Sequence, residues 1–151
     1  MLLTGTFNRA LDDKLRMAIP KHLRDDLPCP PGGGLYITPG TDGSLTLYTE
    51  AAFQSLGQRL AQSSPTRKDV RAFSRLFYGQ AQHVELDRQG RIRIPPELAA
   101  LAKLQDEVVL VGVQDHMEIW AVEHWQSYVT DKQSHFDEIA ESAMEGDLTQ
   151  T

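Results

Sequence analysis

Cysteine is almost absent from this chain of 151 residues, which contains only Cys29. A single cysteine cannot form an internal disulfide, so the composition favours a reducing compartment and argues against a zinc site built on cysteine ligands. A nucleophilic thiol needs an activating environment, whereas Cys29 lies in the loop PCPPGGG. We therefore do not expect a catalytic cysteine.

Long hydrophobic runs and export signals are also lacking. No stretch approaches the roughly 18 consecutive apolar residues that a membrane span requires. The N-terminal segment MLLTGTFNRALDDK has no basic region followed by a long apolar core. These absences predict a cytoplasmic protein without a membrane anchor.

The motifs of common enzyme classes are missing as well. The sequence contains no HExxH, no GxSxG and no phosphate-binding Gly-Lys-Ser/Thr, and its GGG run lacks the spacing of a nucleotide loop. We expect neither catalysis nor a metal, a cofactor or a small-molecule substrate. The histidines show no metal-ligand spacing: His22, His83, His116, His124 and His135.

Negative charge predominates, but it is unevenly distributed. The net charge is -6, which by itself argues against a nucleic-acid partner. Residues 1–78 nevertheless carry ten Lys and Arg against seven Asp and Glu, whereas residues 79–151 carry five against fourteen. Beyond Thr130 six acidic residues face only Lys132. The acidic tail thus masks a basic first half.

The chain contains an internal repeat. The segment Arg9–Leu23, RALDDKLRMAIPKHL, returns as Val84–Leu98, VELDRQGRIRIPPEL, displaced by 75 positions. A second block, displaced by 72 positions, repeats an aromatic strand end, and the longer Pro/Gly loop Pro28–Gly34 of the first copy accounts for the difference. The matching positions are Leu11, Asp12, Arg16, Ile19, Pro20 and Leu23 with Leu86, Asp87, Arg91, Ile94, Pro95 and Leu98, then Leu47, Tyr48 and Phe53 with Ile119, Trp120 and Trp125.

Each copy predicts a strand, a tight turn, a strand ending at Ile-Pro, a short helix, two further strands and a helix. Between the copies we expect a connector helix, capped by Ser64, with Pro65 in its first position and its end at Tyr78. Its apolar and basic faces separate, so it would pack on the core or present its basic face to DNA or to another subunit. From about Gln133 the acidic segment is expected to be frayed or disordered. The apolar face comprises Val70, Phe73, Leu76 and Phe77, and the basic face Arg67, Lys68, Arg71 and Arg75.

The repeated Asp-x-x-x-Arg motif indicates a candidate binding surface. An aspartate at a strand end can hold an arginine four positions later in a fixed direction, as phosphate or a guanine edge requires. A two-stranded ribbon can enter the DNA major groove, where Arg to guanine is the commonest specific contact. Surface turn salt bridges, or a purely structural duplication, would also fit. The motif residues are Asp12, Arg16, Asp87 and Arg91, and Lys14, Arg88 and Arg93 would add phosphate contacts.

These residues resemble the MraZ family of bacterial regulators, which are relatives of SpoVT/AbrB-type DNA-binding domains. The resemblance rests on LDDKLRMAIP with LDRQGRIRIP, on the connector SPTRKDVRAFSRLFYGQ and on the blocks LYITPG/LTLY and VVLVGV/EIWAVEHW. It covers about residues 1–130. It implies an α+β, β-rich fold with two AbrB-like repeats at 1–55 and 80–127, a helical connector at 56–79 and an acidic, partly disordered tail at 128–151.

The resemblance further implies a double-split, swapped-hairpin β-barrel with flanking helices, and chains that assemble into a ring. Members of the family are typically repressors of the division and cell-wall gene cluster that includes their own gene. They bind short direct repeats in promoter DNA, so a nucleoid-associated protein is implied. By position, Arg16 and Arg91 would contact DNA, with Asp12 and Asp87 completing each motif.

One position departs from the family pattern. The glycine before the motif arginine is present as Gly90 in the second copy, but Leu15 stands there in the first. If this position needs a positive φ, leucine costs roughly 1–2 kcal/mol. We therefore expect the first turn to differ in shape and the orientation of Arg16 to differ with it.

Two other interpretations remain open at this stage. The chain could be an AbrB-like protein-interaction module, of antitoxin or scaffold type, that uses its acidic tail to bind a partner. The repeated aromatic residues could form a base-stacking platform, although their placement at strand ends and helix starts favours packing. Those residues are Tyr48, Phe53, Trp120 and Trp125.

Overall fold

The structure is a computed structural model that describes residues 1–27 and 34–148. Cys29 and most of the Pro28–Gly34 loop therefore lie outside the described residues. In chain order the strands are β1 (Thr6–Ala10), β2 (Arg16–Ala18), β3 (Gly34–Pro39), β4 (Leu45–Thr49), β5 (Gln82–Glu85), β6 (Arg91–Arg93), β7 (Glu107–Val113) and β8 (His116–Ala121). The helices are α1 (Lys21–Asp26), α2 (Glu50–Ala61), α3 (Lys68–Gln80), α4 (Pro96–Leu101), α5 (Val122–Gln133) and α6 (Phe136–Leu148).

Six strands form one antiparallel sheet in the order β1-β7-β8-β4-β3-β5, and β2 and β6 form a separate antiparallel ribbon. This arrangement confirms the predicted mixed α+β class. The two copies do not build separate sheets. The first strand of each copy pairs with the third strand of the other, since β1 pairs with β7 and β5 with β3.

The core follows from alternation along these strands. Side chains of successive residues point to opposite faces of a strand. In the ribbon, Met17 and Ile92 are 0% and 1% exposed, while their neighbours in the strands are not buried. The strand β7 is buried on both faces at its centre, because α5 packs against it. One apolar cluster, from Leu3 to Ile119, thus joins the two copies.

Both short helices after the Ile-Pro pairs are present. Pro20 and Pro95 lie immediately before α1 and α4, as the N-cap residues. A proline suits this place because its missing N–H is not needed in the first helical turn. Leu23 and Leu98 then point into the core from equivalent positions, each 1% exposed.

The connector helix begins later than predicted. Helix α3 starts at Lys68, so the expected Ser64 cap and Pro65 first position are wrong. The Ser64 hydroxyl hydrogen-bonds the Thr66 hydroxyl at 2.7 Å instead of capping a helix. Pro65 lies in a turn before the helix begins. The proposed boundary at residue 55 also falls inside a helix, because α2 runs to Ala61.

The predicted apolar face of the connector is only partly buried. Phe77 is 4% exposed and packs on the sheet side, but Phe73 and Leu76 are 45% and 63% exposed. Phe77, near the end of α3, is the residue that the helix buries, and the Phe73 ring lies 5.1 Å from the Phe77 ring. The prediction that all of these side chains pack on the core is therefore wrong for Phe73 and Leu76.

The prediction of a frayed or disordered acidic tail is also wrong over most of its length. Helix α6 spans Phe136–Leu148, and residues 149–151 lie outside the described residues. Its sequence is rich in strong helix formers such as Ala, Glu and Met. Asp137 and Glu138 lie in its first turn, where a negative charge favours the helix dipole.

Ile92 provides a test of this core. We expect Ile92→Ala to lower the free energy of unfolding by about 2–5 kcal/mol, because it opens a cavity beneath the ribbon. Leu101→Ala, at a position of α4 that is 51% exposed, should change it by no more than about 0.5 kcal/mol. Urea unfolding at constant pH measures both, and equal effects of the two substitutions would contradict this packing.

Candidate nucleic-acid interface

The first Asp-x-x-x-Arg motif forms a tight turn built around one carboxylate. Asp12 Oδ1 accepts the backbone N–H of Lys14 at 2.9 Å and that of Arg16 at 2.8 Å, while Oδ2 accepts Arg16 Nε at 2.7 Å. The backbone closes the turn, since Leu15 N donates to Asp12 O at 2.9 Å. One side chain therefore fixes both the turn and the direction of the arginine.

The second motif repeats this geometry bond for bond. Asp87 Oδ1 accepts the backbone N–H of Gln89 and that of Arg91, both at 2.9 Å, and Oδ2 accepts Arg91 Nε at 2.9 Å. Gly90 N donates to Asp87 O at 3.0 Å. The two arginines are accordingly presented in the same way by the two copies.

These hydrogen bonds also lower the pKa values of the two aspartates. The backbone N–H of Arg16 lowers the pKa of Asp12 below its ordinary value of 3.8, and the Arg16 side chain lowers it further. The N–H and side chain of Arg91 lower the pKa of Asp87 in the same order. Both carboxylates are thus ionised at neutral pH, as a charge-assisted bond to a guanidinium requires.

The two turns have the same shape despite the leucine in the first. Leu15 has φ 62° and Gly90 has φ 75°, so both occupy the left-handed region. The expectation that the first turn differs is therefore wrong. Leucine adopts this conformation at a cost of roughly 1–2 kcal/mol. The packing of its half-buried side chain against the core offsets that cost.

Each turn is anchored by the other copy. Ile19 N, just after β2, donates to Gly90 O at 3.0 Å, and Ile94 N, just after β6, donates to Leu15 O at 2.8 Å. The left-handed residue of each turn therefore offers its carbonyl to the Ile-Pro segment of the other copy. The two motifs cannot move independently.

The ribbon brings three of the predicted arginines to one face. Met17 lies opposite Ile92, and Arg16 lies opposite Arg93. Because the pleat sends Met17 and Ile92 into the core, the residues on either side of them point outward. This outer face carries Arg16 and Arg93 at one end, and Arg91 and Ala18 at the other.

Lys14 and Arg88 lie at the tips of the two turns, and both are exposed. The strands of the ribbon are antiparallel and each turn precedes its strand, so the two tips mark opposite ends of the ribbon. Lys14 corresponds to Gln89 of the second copy, and Arg88 corresponds to Asp13 of the first. The five predicted basic residues thus form one strip rather than two separate patches.

Arg24, in α1, is a residue that the sequence analysis missed. Its Nε donates to Ile19 O at 2.9 Å, and its guanidinium lies so close to Gly90 that a β-carbon there would overlap it. The sequence does contain a signal for this residue, because the two copies differ at two matching pairs of positions. The first copy has Arg24 and Leu15, whereas the second has Ala99 and Gly90.

The repeated aromatic residues pack rather than form a stacking platform. Trp120 is 3% exposed and lies 5.2 Å from the Trp125 ring in an edge-on contact. Tyr48 and Phe53 are 5.9 Å apart and tilted. The prediction that these side chains serve packing is confirmed.

Within residues 1–27 and 34–148, no group of three or more His, Cys, Asp and Glu side chains is arranged to hold a metal ion. Over the same residues, none of the helices combines the length and the apolar character that crossing a membrane requires.

The comparisons with known proteins all indicate the same family. The sequence profile of the MraZ protein family, described as antitoxin-like, matches residues 2–76 and again residues 77–146. A protein of Lactiplantibacillus plantarum named transcriptional regulator MraZ is 43% identical over 93% of this chain and 97% of its own. Proteins of the same name from Ligilactobacillus salivarius and Finegoldia magna are each 37% identical, over 97% and 91% of this chain and 100% and 94% of their own.

The two turns have different residues at the left-handed position, which allows a matched pair of substitutions. We expect Leu15→Gly to change the free energy of unfolding by less than about 1 kcal/mol, because relief of the left-handed leucine offsets lost packing. Gly90→Leu should cost about 2 kcal/mol or more, since it adds that strain and displaces Arg24 from its hydrogen bond. Chemical denaturation of both variants checks this, and similar effects would show that the two turns are interchangeable.

Proposed function

The chain belongs to the MraZ family, and on that premise we propose that it is a DNA-binding regulator of transcription whose contact surface is the outer face of the β2–β6 ribbon. The partner is double-stranded promoter DNA. The proposal describes a binding protein rather than an enzyme, acting in the cytoplasm at the nucleoid without a cofactor or a small-molecule substrate.

The matched presentation of Arg16 and Arg91 carries this proposal. In each, Nε is committed to the motif aspartate, and the terminal nitrogens have no hydrogen-bond partner within the part of the chain that the structure describes. A guanidinium held in this way loses little freedom when it meets a second planar acceptor. Guanine offers O6 and N7 as such an acceptor pair in the major groove, which is wide enough for a two-stranded ribbon. We assign base recognition to these two arginines.

The remaining basic residues of the strip suit the DNA backbone. Lys14, Arg88 and Arg93 are exposed, and within the described residues none of them forms an ion pair with a carboxylate. Flexible cations of this kind neutralise phosphates and fix the register of a protein on the duplex without reading sequence. The excess acid of the chain lies in α5 and α6, away from the ribbon in sequence.

We further propose that several chains form a ring on short direct repeats in the promoter of a division and cell-wall gene cluster that includes its own gene, with repression as the outcome. One chain presents little surface, because β2 and β6 contain three residues each. Linking several weak contacts raises the overall affinity. The exposed apolar side chains of Phe73 and Leu76 on α3 offer surface for contacts between chains.

The proposed fold is a double-split, swapped-hairpin barrel. The exchange of first strands between the copies supports it, as does the position of the ribbon, which contacts both end strands of the sheet through β1 with β2 and β5 with β6. Closure of this kind would leave no exposed edge next to the DNA-binding face.

Replacing both motif arginines tests the function. We expect R16A/R91A to lose about 2 kcal/mol or more of specific binding free energy on the promoter fragment upstream of its own gene, since each bidentate base contact contributes at this scale. Fluorescence anisotropy gives the affinity. A footprint on the same fragment should show protection of evenly spaced short repeats by the wild-type protein only.

A control variant separates this effect from charge and from folding. R59A/K132A removes two cations from α2 and α5 and should retain footprint and specificity. Cooperative thermal melts of both variants establish that each is folded. A folded R16A/R91A that protects the repeats as the wild type does would rule out the ribbon as the reading surface.

A protein-interaction module remains the second candidate, and one observation favours it. Helix α6 is acidic, yet it exposes Phe136, Ile139 and Met144, as a helix that docks on a partner would. Removing residues after Thr130 discriminates the two functions. We expect the truncated chain to keep its specific affinity for the repeats in the anisotropy assay. If truncation leaves DNA binding intact and abolishes capture of a defined partner protein that the full chain binds, the tail has the interaction role.

A further inference from the structure

Helix α3 leaves one of its faces exposed to solvent. Leu76 lies at the centre of this face and is 63% exposed, whereas Phe77 is buried where the helix packs on the sheet. Two small residues and two cations surround Leu76 at spacings of three or four positions, which places them on the same side of a helix. Together these residues form the α3 face: Lys68, Ala72, Arg75, Leu76 and Gly79.

Gly79 has no role in the packing of its own chain. It lies in the last turn of α3 without a positive φ, and a β-carbon at this position would meet no atom within 4 Å. Glycine weakens a helix relative to alanine, and here neither backbone conformation nor a crowded neighbour in the described residues requires it. The absence of a side chain does let another surface approach the helix closely.

The two cations of the α3 face are available for pairing. Lys68 and Arg75 form no ion pair within residues 1–27 and 34–148. Other cations of this region are committed locally, since Arg67 pairs with Asp69 at 2.7 Å and Arg71 donates to a backbone carbonyl of the preceding turn at 2.6 Å. A surface that complements the α3 face is therefore apolar at its centre and acidic at its rim.

A groove with these properties lies between the segment that follows α4 and the junction of β8 with α5. Its volume is about 780 Å³. The carboxylates at its rim are exposed and form no ion pair in the part of the chain that the structure describes, and Lys103 also lines it. This acidic groove has an apolar floor of Ala102, Ala121 and Val122 and an acidic rim of Asp106, Glu107 and Glu123.

His124 gives one wall of the acidic groove a fixed shape. Its ring lies so close to Gly43 that a β-carbon there would overlap it, and it meets the Trp120 ring edge-on at 5.3 Å. Trp120 is itself 3% exposed and donates from Nε1 to Glu118 at 3.0 Å. A preformed groove binds a partner without the cost of ordering its own side chains.

The α3 face and the acidic groove lie on different parts of the chain. Helix α3 packs on β3, whereas the groove lies at the ends of β7 and β8, and β4 separates β3 from β8 in the sheet. Contact between two unlike surfaces joins copies head to tail, and such a chain of contacts closes into a ring when the rotation allows.

We propose that the α3 face of one chain docks in the acidic groove of a second copy, with Leu76 over the apolar floor and Lys68 and Arg75 beside the rim carboxylates. This inference rests on the proposed ring and names the two surfaces that form it. The occupant is a second copy because every chain carries both of the complementary surfaces.

Sedimentation velocity without DNA tests the two surfaces separately. We expect L76D and E107K/E123K each to raise the concentration at which half of the chains are assembled by about tenfold or more, since each disrupts the centre or rim of one surface. G79L should weaken assembly as well, although leucine is the better helix former and has open space around it. Circular dichroism establishes that each variant is folded.

Mixing the variants shows whether the two surfaces pair with each other. L76D keeps an intact acidic groove and E107K/E123K keeps an intact α3 face, so an equimolar mixture should form one-to-one dimers and no rings. K68E/R75E should lose assembly for the same electrostatic reason as E107K/E123K. Combining these four substitutions restores opposite charges across the contact and should restore the ring.

Matched charge reversals elsewhere provide the controls. R59E/K132E and E85K/E141K change exposed residues outside both surfaces and should assemble as the wild type does. Folded L76D and E107K/E123K that assemble like the wild type, or a mixture of them that forms no dimer, would overturn the docking even though the wild type forms rings. A wild-type chain that stays monomeric would remove the proposed ring and this inference together, while R16A/R91A still tests the ribbon.

Discussion

The burial of Met17 opposite Ile92 determines the position of everything on the outer face of the ribbon. Two strands of three residues have too few hydrogen bonds to be stable alone. These two side chains anchor the ribbon in the common core, where they are 0% and 1% exposed. Because side chains alternate along a β-strand, Arg16, Arg91 and Arg93 then face outward. The arginine surface is thus a consequence of the packing beneath it.

Much of the site could be predicted from the sequence, because its geometry is local. An aspartate that accepts the N–H groups two and four residues later sets a turn by itself, and Ile-Pro sets the end of the following strand. The pairing of β1 with β7 could not be predicted in this way. A first strand from either copy has the same alternation of residues, so the pattern alone does not determine which copy supplies its partner.

Other differences arose where tertiary contacts override local preference. Leucine is disfavoured at positive φ, yet Leu15 keeps the turn because its side chain reaches the core. Helix α3 begins at Lys68 because Ser64 bonds Thr66 instead of capping a helix. Arg24 went unnoticed because its partner, Gly90, is distant in sequence and belongs to the other copy. Such features require knowledge of which surfaces meet.

The exchange of first strands also sets the order in which the molecule can form. The hairpins β3–β4 and β7–β8 pair neighbouring segments, whereas Thr6 in β1 pairs with Val111 in β7. At usual translation speeds of about 5–20 residues per second, β1 is synthesised roughly 5–20 seconds before its partner. Long-range pairing of this kind slows folding. The two copies therefore complete a single sheet, and the nascent chain cannot finish that sheet before β7 has been synthesised.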